Sequence, residues 1–369
     1  MALAQRHSRA LKWAALATKA LLVLLLCEFA LRGAFFARVR YAQPPNCGVR
    51  PELLGRLYFA YSRHRPSNEH LTRAGLKFDE KRGFRLAPNL RGITFNGAPL
   101  STNSLGFRGA TEYPVPKPTL PTRVLALGDS FTFGEGVTDA ETWPAQLQGL
   151  LPGIEVANLG APAYAHDQML YALQDQGVAV EPDVVILGFY LYDKWRDELT
   201  FYCGEKPRFS RLHGDWRVEN QPIPKPWEVY DAHRRLPLVY AVPRVLIETF
   251  LQAPLTDKSG DERATEIIRQ IRALTESKGA RFVLVNLPEG PSERPSSSGF
   301  FHGFCAQTGT ECVDTAPLFG EVGGTDDVAA LRAKFQLPND IHYSPEGYGV
   351  VGEALRRHFT AHPIVPAGP

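Results

Sequence analysis

Apolar and polar positions follow three different rhythms along the 369 residues. From Trp13 to Phe36 the chain is mostly apolar, and 20–27 is uninterrupted. A bilayer-spanning helix needs about 20 such residues. Residues 39–77 are polar and rich in Arg and Pro, and 83–109 holds short extended runs between turn signals such as Asn96-Gly97, which predicts a small β element. Four prolines between 114 and 121 read as a linker. From Arg123 onward, strand-like and helix-like stretches alternate. Strands are expected over 124–127, 154–159, 183–189, 281–286 and 311–314, and helices over 142–151, 165–177, 262–277 and 344–359. In the third helix Ile267, Ile268, Ile271 and Leu274 share one face. This alternation predicts an α/β fold with a doubly wound, mainly parallel sheet. Residues 200–244 break the rhythm with two Trp, several Tyr and many Pro. They are expected either to cap a substrate cleft or to make a surface excursion.

The resulting division is a cytoplasmic N-terminus (1–12), a transmembrane signal anchor (13–36), a juxtamembrane segment (37–82), a β element with a Pro-rich linker (83–120), and an α/β domain (121–363) with a cap insertion at 200–244. Lys19, Glu28 and Arg32 interrupt the span. A central lysine costs roughly 2.5–3.5 kcal/mol on insertion scales, less when its stem snorkels. Lys19 is near one end, and Glu28 and Arg32 are near the other. No small-x-small site follows, so an uncleaved anchor is expected; a cleaved signal peptide or a soluble amphipathic helix would carry the same run. Leucine at 24–26 fits poorly with lipidation of Cys27. Arginines flank both ends, so charge does not fix the orientation.

Net charge is +2, from 41 Lys and Arg against 39 Asp and Glu, which gives no argument for nucleic-acid binding. Cys47, Cys203, Cys305 and Cys312 lie outside the span, an even number that suits an oxidising compartment. Three pairings are open, and Cys305 with Cys312 could join a helix end to the next strand. No spacing suggests zinc or another metal, and no motif calls for a cofactor.

Two blocks carry candidate chemistry. Gly128-Asp129-Ser130 ends the first core strand, at the edge where open α/β sheets keep their active sites. Asn339-Asp340-Ile341-His342 precedes the last helix. A serine hydroxyl needs a base, and an imidazole needs an orienting acid: Ser130, His342 and Asp340 are the candidate nucleophile, base and acid. Ser130 could instead be a helix N-cap, and His342 a loop histidine.

Gly128-Asp129-Ser130-Phe131-Thr132-Phe133-Gly134-Glu135-Gly136, Asn158-Leu159-Gly160, Asp340-x-His342 and Asn103-Ser104-Leu105-Gly106-Phe107-Arg108-Gly109 together resemble the SGNH (GDSL-type) hydrolases, in particular membrane-anchored bacterial esterase-like members. The resemblance covers about 84–359. It implies a flavodoxin-like three-layer sandwich and an oxyanion hole from the N–H groups of Ser130 and Gly160 plus a side-chain amide from a third block. It also favours a catalytic domain on the extracytoplasmic side. Many members place the acid three residues before the histidine, where this chain has Asn339, so Asn339 is the fallback to Asp340. The third block lacks its asparagine: Asp193 or Tyr192 takes the place, depending on register. An ionised Asp193 cannot donate, a tyrosine hydroxyl can, and Lys194 could compensate. His166 is expected near the cleft, His302 as a structural or solvated residue, and Glu135 either at the site entrance or, as the favoured reading, as a solvated turn residue.

The implied activity is that of a serine esterase removing acyl groups, acetyl above all, from a cell-surface carbohydrate or lipid, with the membrane helix as tether. An acyltransferase using the same three residues and a non-catalytic binding module are the alternatives.

Overall fold

The computed structural model describes residues 2–40, 52–62, 74–251, 258–289 and 298–364. Among them, those of 68–200, 204–224 and 255–369 make one compact unit, and those of 1–67, 201–203 and 225–254 a second.

In the first unit the strands are β1 (Leu76–Asp79), β2 (Gly83–Leu86), β3 (Ile93–Phe95), β4 (Ala98–Leu100), β5 (Thr122–Leu127), β6 (Ile154–Asn158), β7 (Val184–Phe189), β8 (Arg208–Leu212), β9 (Asp215–Glu219), β10 (Arg281–Asn286) and β11 (Cys312–Asp314). Five of them form a sheet in the order β11-β10-β7-β5-β6, and every pairing is parallel. Side chains on a strand alternate between its faces, and β5 shows the result. Leu125 and Leu127 enter one core with the helices His166–Ala172, Lys258–Ser277 and Ser298–Thr308. Val124 and Ala126 enter the other, with Trp143–Leu150, Ala316–Gly323, Val328–Phe335 and Pro345–Ala361. Both faces are covered, as an all-parallel sheet requires. The chain passes from β5 to β6 on one side and returns to β7 on the other, so the strand order reverses beside β5. Ligand crevices in open α/β sheets lie at such a reversal, outside the carboxyl ends of the strands.

The Asn-Gly signal makes the β3–β4 hairpin, with Asn96 at φ 44° and Gly97 at φ 84°, the left-handed pair a type I′ turn needs. This element and the proline stretch belong to the same compact unit as the sheet. The prolines do not make a free tether: the Lys117 N–H donates to Glu181 at 2.6 Å, and its ammonium lies 3.1 Å from Asp183.

The stretch expected as one cap is divided. Residues 204–224, with the antiparallel β8–β9 hairpin, belong to the sheet unit, and 225–244 belong to the other. Lys206 secures the first part: its buried ammonium donates to Asp167 Oδ2 at 2.6 Å and to the carbonyls of Leu199 and Pro207. Burial pushes the Asp167 carboxyl up to about 7 even though Lys206 pulls it down. Removing one partner of a buried pair strands the other, at a cost of roughly 3–5 kcal/mol. Lys206→Met should therefore lower thermal stability most at pH 8 and less at pH 6, where Asp167 takes up a proton and sheds the stranded charge. Urea titration at the two pH values checks this, and equal losses would contradict it.

In the second unit, helix Ala2–Arg40 packs with Glu52–Tyr61, Pro226–Arg235 and Leu238–Leu251. Its segment Leu11–Val39 is the one helix among the described residues long and apolar enough to cross a membrane, and its most apolar window is wholly unburied. Its 29 residues extend about 43 Å at 1.5 Å per residue, against a hydrocarbon core of about 30 Å.

Cys305 and Cys312 form a disulfide between the end of helix Ser298–Thr308 and β11. Cys203 is disulfide-bonded, and Cys47 lies outside the described residues.

Candidate active site

Strand β5 delivers the first residue. Its backbone leaves the sheet at Gly128, where a Cβ would stand 2.1 Å from Thr132 Oγ1, so only glycine fits. Asp129 caps the short helix Ser130–Phe133: its Oδ1 accepts the Phe131 N–H at 2.9 Å. Ser130 is therefore not the cap, and its hydroxyl is left for another partner. Arg108 fixes the far end of the turn, donating to the carbonyls of Phe133, Gly134 and Val137 and to Asp139. The 103–109 block thus has a physical role: it clamps the loop that follows Ser130.

The second delivery comes from the loop before helix Pro345–Ala361. Asn339 takes a left-handed conformation, φ 59°, and the loop closes through Leu337 N–H to His342 C=O at 2.9 Å. His342 Nε2 lies 2.8 Å from Ser130 Oγ, and Nδ1 lies 2.7 Å from Asp340 Oδ1. The same carboxylate oxygen accepts the His342 backbone N–H at 3.0 Å. With Nδ1–H donating to the Asp340 carboxylate, Nε2 is the acceptor and the Ser130 hydroxyl donates to it. Phe131 flanks the imidazole, ring centroids 5.1 Å apart. Ser130 is 3% exposed, while the Asp340 side chain is 44% exposed. Burial alone would raise the Asp340 carboxyl. The His342 backbone N–H and the imidazole outweigh it, and the group sits below the ordinary carboxylate range.

The structure brings Ser130, His342 and Asp340 into one chain of hydrogen bonds, and Asn339 serves the turn. It treats the expected oxyanion donors differently. Gly160 packs against the nucleophile helix so closely that a Cβ would stand 2.3 Å from Phe133 N. Its N–H already donates to Asn158 Oδ1 at 3.0 Å. Tyr192 is half exposed and stacks on Tyr190. Asp193 is fully buried and shares Arg196 with Asp129, at 2.6 and 2.9 Å respectively. Burial, and then the Asp129 carboxylate, push Asp193 well above the ordinary range despite Arg196. Its Oδ2 has no hydrogen-bond partner among the described residues. Burial thus favours the protonated form of Asp193, the form that can donate, while the Arg196 ion pair favours the carboxylate. Lys194 does not reach it, pairing instead with Asp261 and lying over the Phe300 ring.

Two further expectations change. His166 does not line the site: it is wholly buried, 2.7 Å from Asp197 Oδ2 and stacked on Phe189. Glu135 is not a solvated turn residue. Its side chain is 17% exposed, its Oε2 lies 3.8 Å from His342 Nε2, and Asn96 of the β3–β4 turn donates to its other oxygen. Burial holds its carboxyl above the ordinary range, against the pull of His342. The Asn-Gly turn was legible, but not that it reaches the nucleophile loop. His302 is half exposed and bonds Asp314 at 2.9 Å.

An α/β fold with a hydroxyl, an imidazole and a carboxylate in series at the switch point has the parts for acyl transfer through serine. No family model and no curated protein matches the chain. Among solved structures it is similar to a G-D-S-L family protein from Desulfitobacterium hafniense, at 19% identity and a TM-score of 0.39, covering 64% of this chain and 98% of that one. It is also similar to an acetylxylan esterase from Geobacillus stearothermophilus, at 16% identity and a TM-score of 0.39, covering 64% and 93%. A GDSL-like lipase from Bacteroides thetaiotaomicron gives 12% identity and a TM-score of 0.39, covering 69% and 93%.

Proposed function

We propose that the chain is an SGNH-type serine esterase that removes O-acyl groups, acetyl in particular, from a cell-surface glycan or lipid. The observation that carries this reading is the Ser130–His342–Asp340 series, with Nε2 2.8 Å from Oγ. In the reaction, His342 takes the Ser130 proton as Oγ attacks the ester carbonyl. The tetrahedral oxyanion collapses and expels the alcohol, which receives that proton. Water then attacks the acyl-serine with His342 again as base, releasing the acid and restoring the serine. Asp340 holds the ring in the required tautomer and stabilises the imidazolium. By resemblance Asp193 takes the place of the missing amide, and its protonated form, which burial favours, would be the donor to the oxyanion.

The apolar helix and the cysteines support an extracytoplasmic placement. An anchor helix keeps the enzyme beside polymeric or lipid substrate. The Cys305–Cys312 bridge and the bonded Cys203 favour an oxidising compartment, hence the extracytoplasmic side.

A fluorophosphonate probe on the full chain in detergent tests the chemistry. Covalent labelling of Ser130 is expected, lost in Ser130→Ala and His342→Ala; labelling that survives Ser130→Ala would end the proposal. Acetate release from acetylated polysaccharide, compared with acetylated lipid, assigns the substrate.

Asp193→Asn is a separate test of the oxyanion donor. An acid whose folded pKa is raised destabilises the fold as pH climbs above its unfolded value near 3.9. Asparagine removes that cost while its oxygen still accepts from Arg196. The variant should melt higher than wild type, by a margin that grows from pH 5 to pH 8. Its activity should stay level as pH rises, whereas wild-type activity should fall as Asp193 ionises. A more than tenfold loss of activity at every pH would exclude Asp193 from this role.

A further inference from the structure

Helix Leu238–Leu251, Leu-Val-Tyr-Ala-Val-Pro-Arg-Val-Leu-Ile-Glu-Thr-Phe-Leu, is apolar on two opposite faces. The inner face, Leu238, Ala241, Val242 and Val245, packs with Leu31 and Phe35 of the N-terminal helix and with Leu53 and Leu57. At 100° per residue, Tyr240, Ile247 and Phe250 fall opposite, with Leu246 and Leu251 at the margins. All five are more than half exposed, Phe250 at 85% and Leu251 at 78%. The charges on the helix, Arg244 and Glu248, pair with each other at 2.6 Å along one edge. A helix apolar almost all round is ordinarily buried in protein or in lipid.

Its attachment to the N-terminal helix fixes its level along that helix. Glu28 accepts the Val239 N–H at 2.9 Å. Arg32, in an ion pair with Glu28, donates to the carbonyls of Arg234 and Leu236 and to the Tyr61 hydroxyl. Glu28 and Arg32 are also where the apolar run of the span gives way to charge. Just before them Leu21, Leu22, Val23, Leu24, Leu25 and Leu26 are exposed along the span, so helix Leu238–Leu251 starts, at Val239 on Glu28, beside the end of an apolar surface suited to lipid tails. Fourteen residues reach about 21 Å, too short to cross a core of about 30 Å.

We infer that helix Leu238–Leu251 is a second membrane contact, lying in the bilayer surface where the span emerges, with the Tyr240, Ile247, Phe250 and Leu251 face seated at the boundary of headgroups and acyl chains. This rests on reading the N-terminal helix as a membrane span. The occupant is lipid. The chain then holds the bilayer through two elements, and the anchored unit has a fixed tilt at the membrane where a lone helix would leave it free to swivel.

The test uses the full chain with Cys27→Ser, reconstituted in phosphatidylcholine–phosphatidylglycerol vesicles. An environment-sensitive fluorophore is placed at Phe250→Cys, with Ile247→Cys as a second position should the first disturb the unit. Leu22→Cys in the span and exposed Lys278→Cys are the references. Seating about 5–10 Å below the surface predicts strong quenching at 250 by a nitroxide high on the lipid chain, and aqueous iodide quenching about threefold weaker than at 278. Iodide quenching at 250 equal to that at 278 would overturn the inference. So would shielding from both quenchers, which would mean that protein, such as a second copy, covers the face. Absence of lipid quenching at 22 would overturn the membrane span itself, and this inference with it. Lipid quenching at 22 without it at 250 would sink this inference alone. None of these outcomes depends on whether the protein hydrolyses an ester.

Discussion

Alanine at position 130 should reduce turnover of p-nitrophenyl acetate by roughly 10⁴–10⁶, and alanine at 342 by a similar factor. The reason is geometric. Ser130 Oγ and His342 Nε2 are 2.8 Å apart, so each is useful only through the other. The double variant should therefore lose little beyond either single one, because groups acting as a unit are strongly non-additive. Folding should be spared: Asp129, not Ser130, caps the helix, and one lost hydrogen bond is worth about 0.5–1.5 kcal/mol. Ser130→Ala retaining a tenth of wild-type turnover would refute the assignment. So would a double variant whose losses multiply, which would mean two independent contributions.

The sequence showed this pair because each half is marked by local signals. Arg123-Val124-Leu125-Ala126-Leu127 is a buried strand by composition, Gly128 is forced by the close approach of Thr132, and Ser344-Pro345 opens the last helix with an N-cap and a proline at N1. The alternation of strands and helices was equally plain, because hydrophobic period is a local property. What lay hidden depends on contacts distant in sequence. Nothing local tells that Asn96 reaches Glu135, or that Glu135 then faces His342. The upward push on the Asp193 carboxyl comes from burial and from Asp129 and Asp197, against Arg196, and local charge patterning does not show it. His166 failed for the same reason: its helix position was foreseen, but its inward direction and its pairing with Asp197 were not. Helix Leu238–Leu251 was not foreseen: its first half lay inside the cap expected over 200–244, and its second half was assigned to no element.

The second large effect is expected at Asp340. Its Oδ1 accepts two hydrogen bonds from His342, one from the backbone and one from the ring. A carboxyl whose folded pKa is depressed adds stability above its unfolded value, and that stability is lost only as pH falls through the lower folded value. Asp340 is thus ionised across the neutral range and contributes no limb to a neutral pH–rate profile. Asparagine keeps the shape but can turn its amide toward Nδ1, which favours the tautomer with the proton on Nε2 and leaves Ser130 without a base. Loss of the orienting acid by this route costs roughly 10³–10⁴ in kcat where the acid is buried. Here the side chain is 44% exposed, so water can replace a deleted carboxylate. Asp340→Ala should therefore lose less than Asp340→Asn, the order expected if tautomer control outweighs charge. Asn339→Ala should change kcat/KM little, since Asn339 serves the turn and Asp340 holds Nδ1. Steady-state rates for the three variants decide it. If Asn339→Ala cost more than Asp340→Asn, the orienting acid would be misassigned, and the imidazole would have to take its tautomer from another group, with Glu135, 3.8 Å from Nε2, the first to examine.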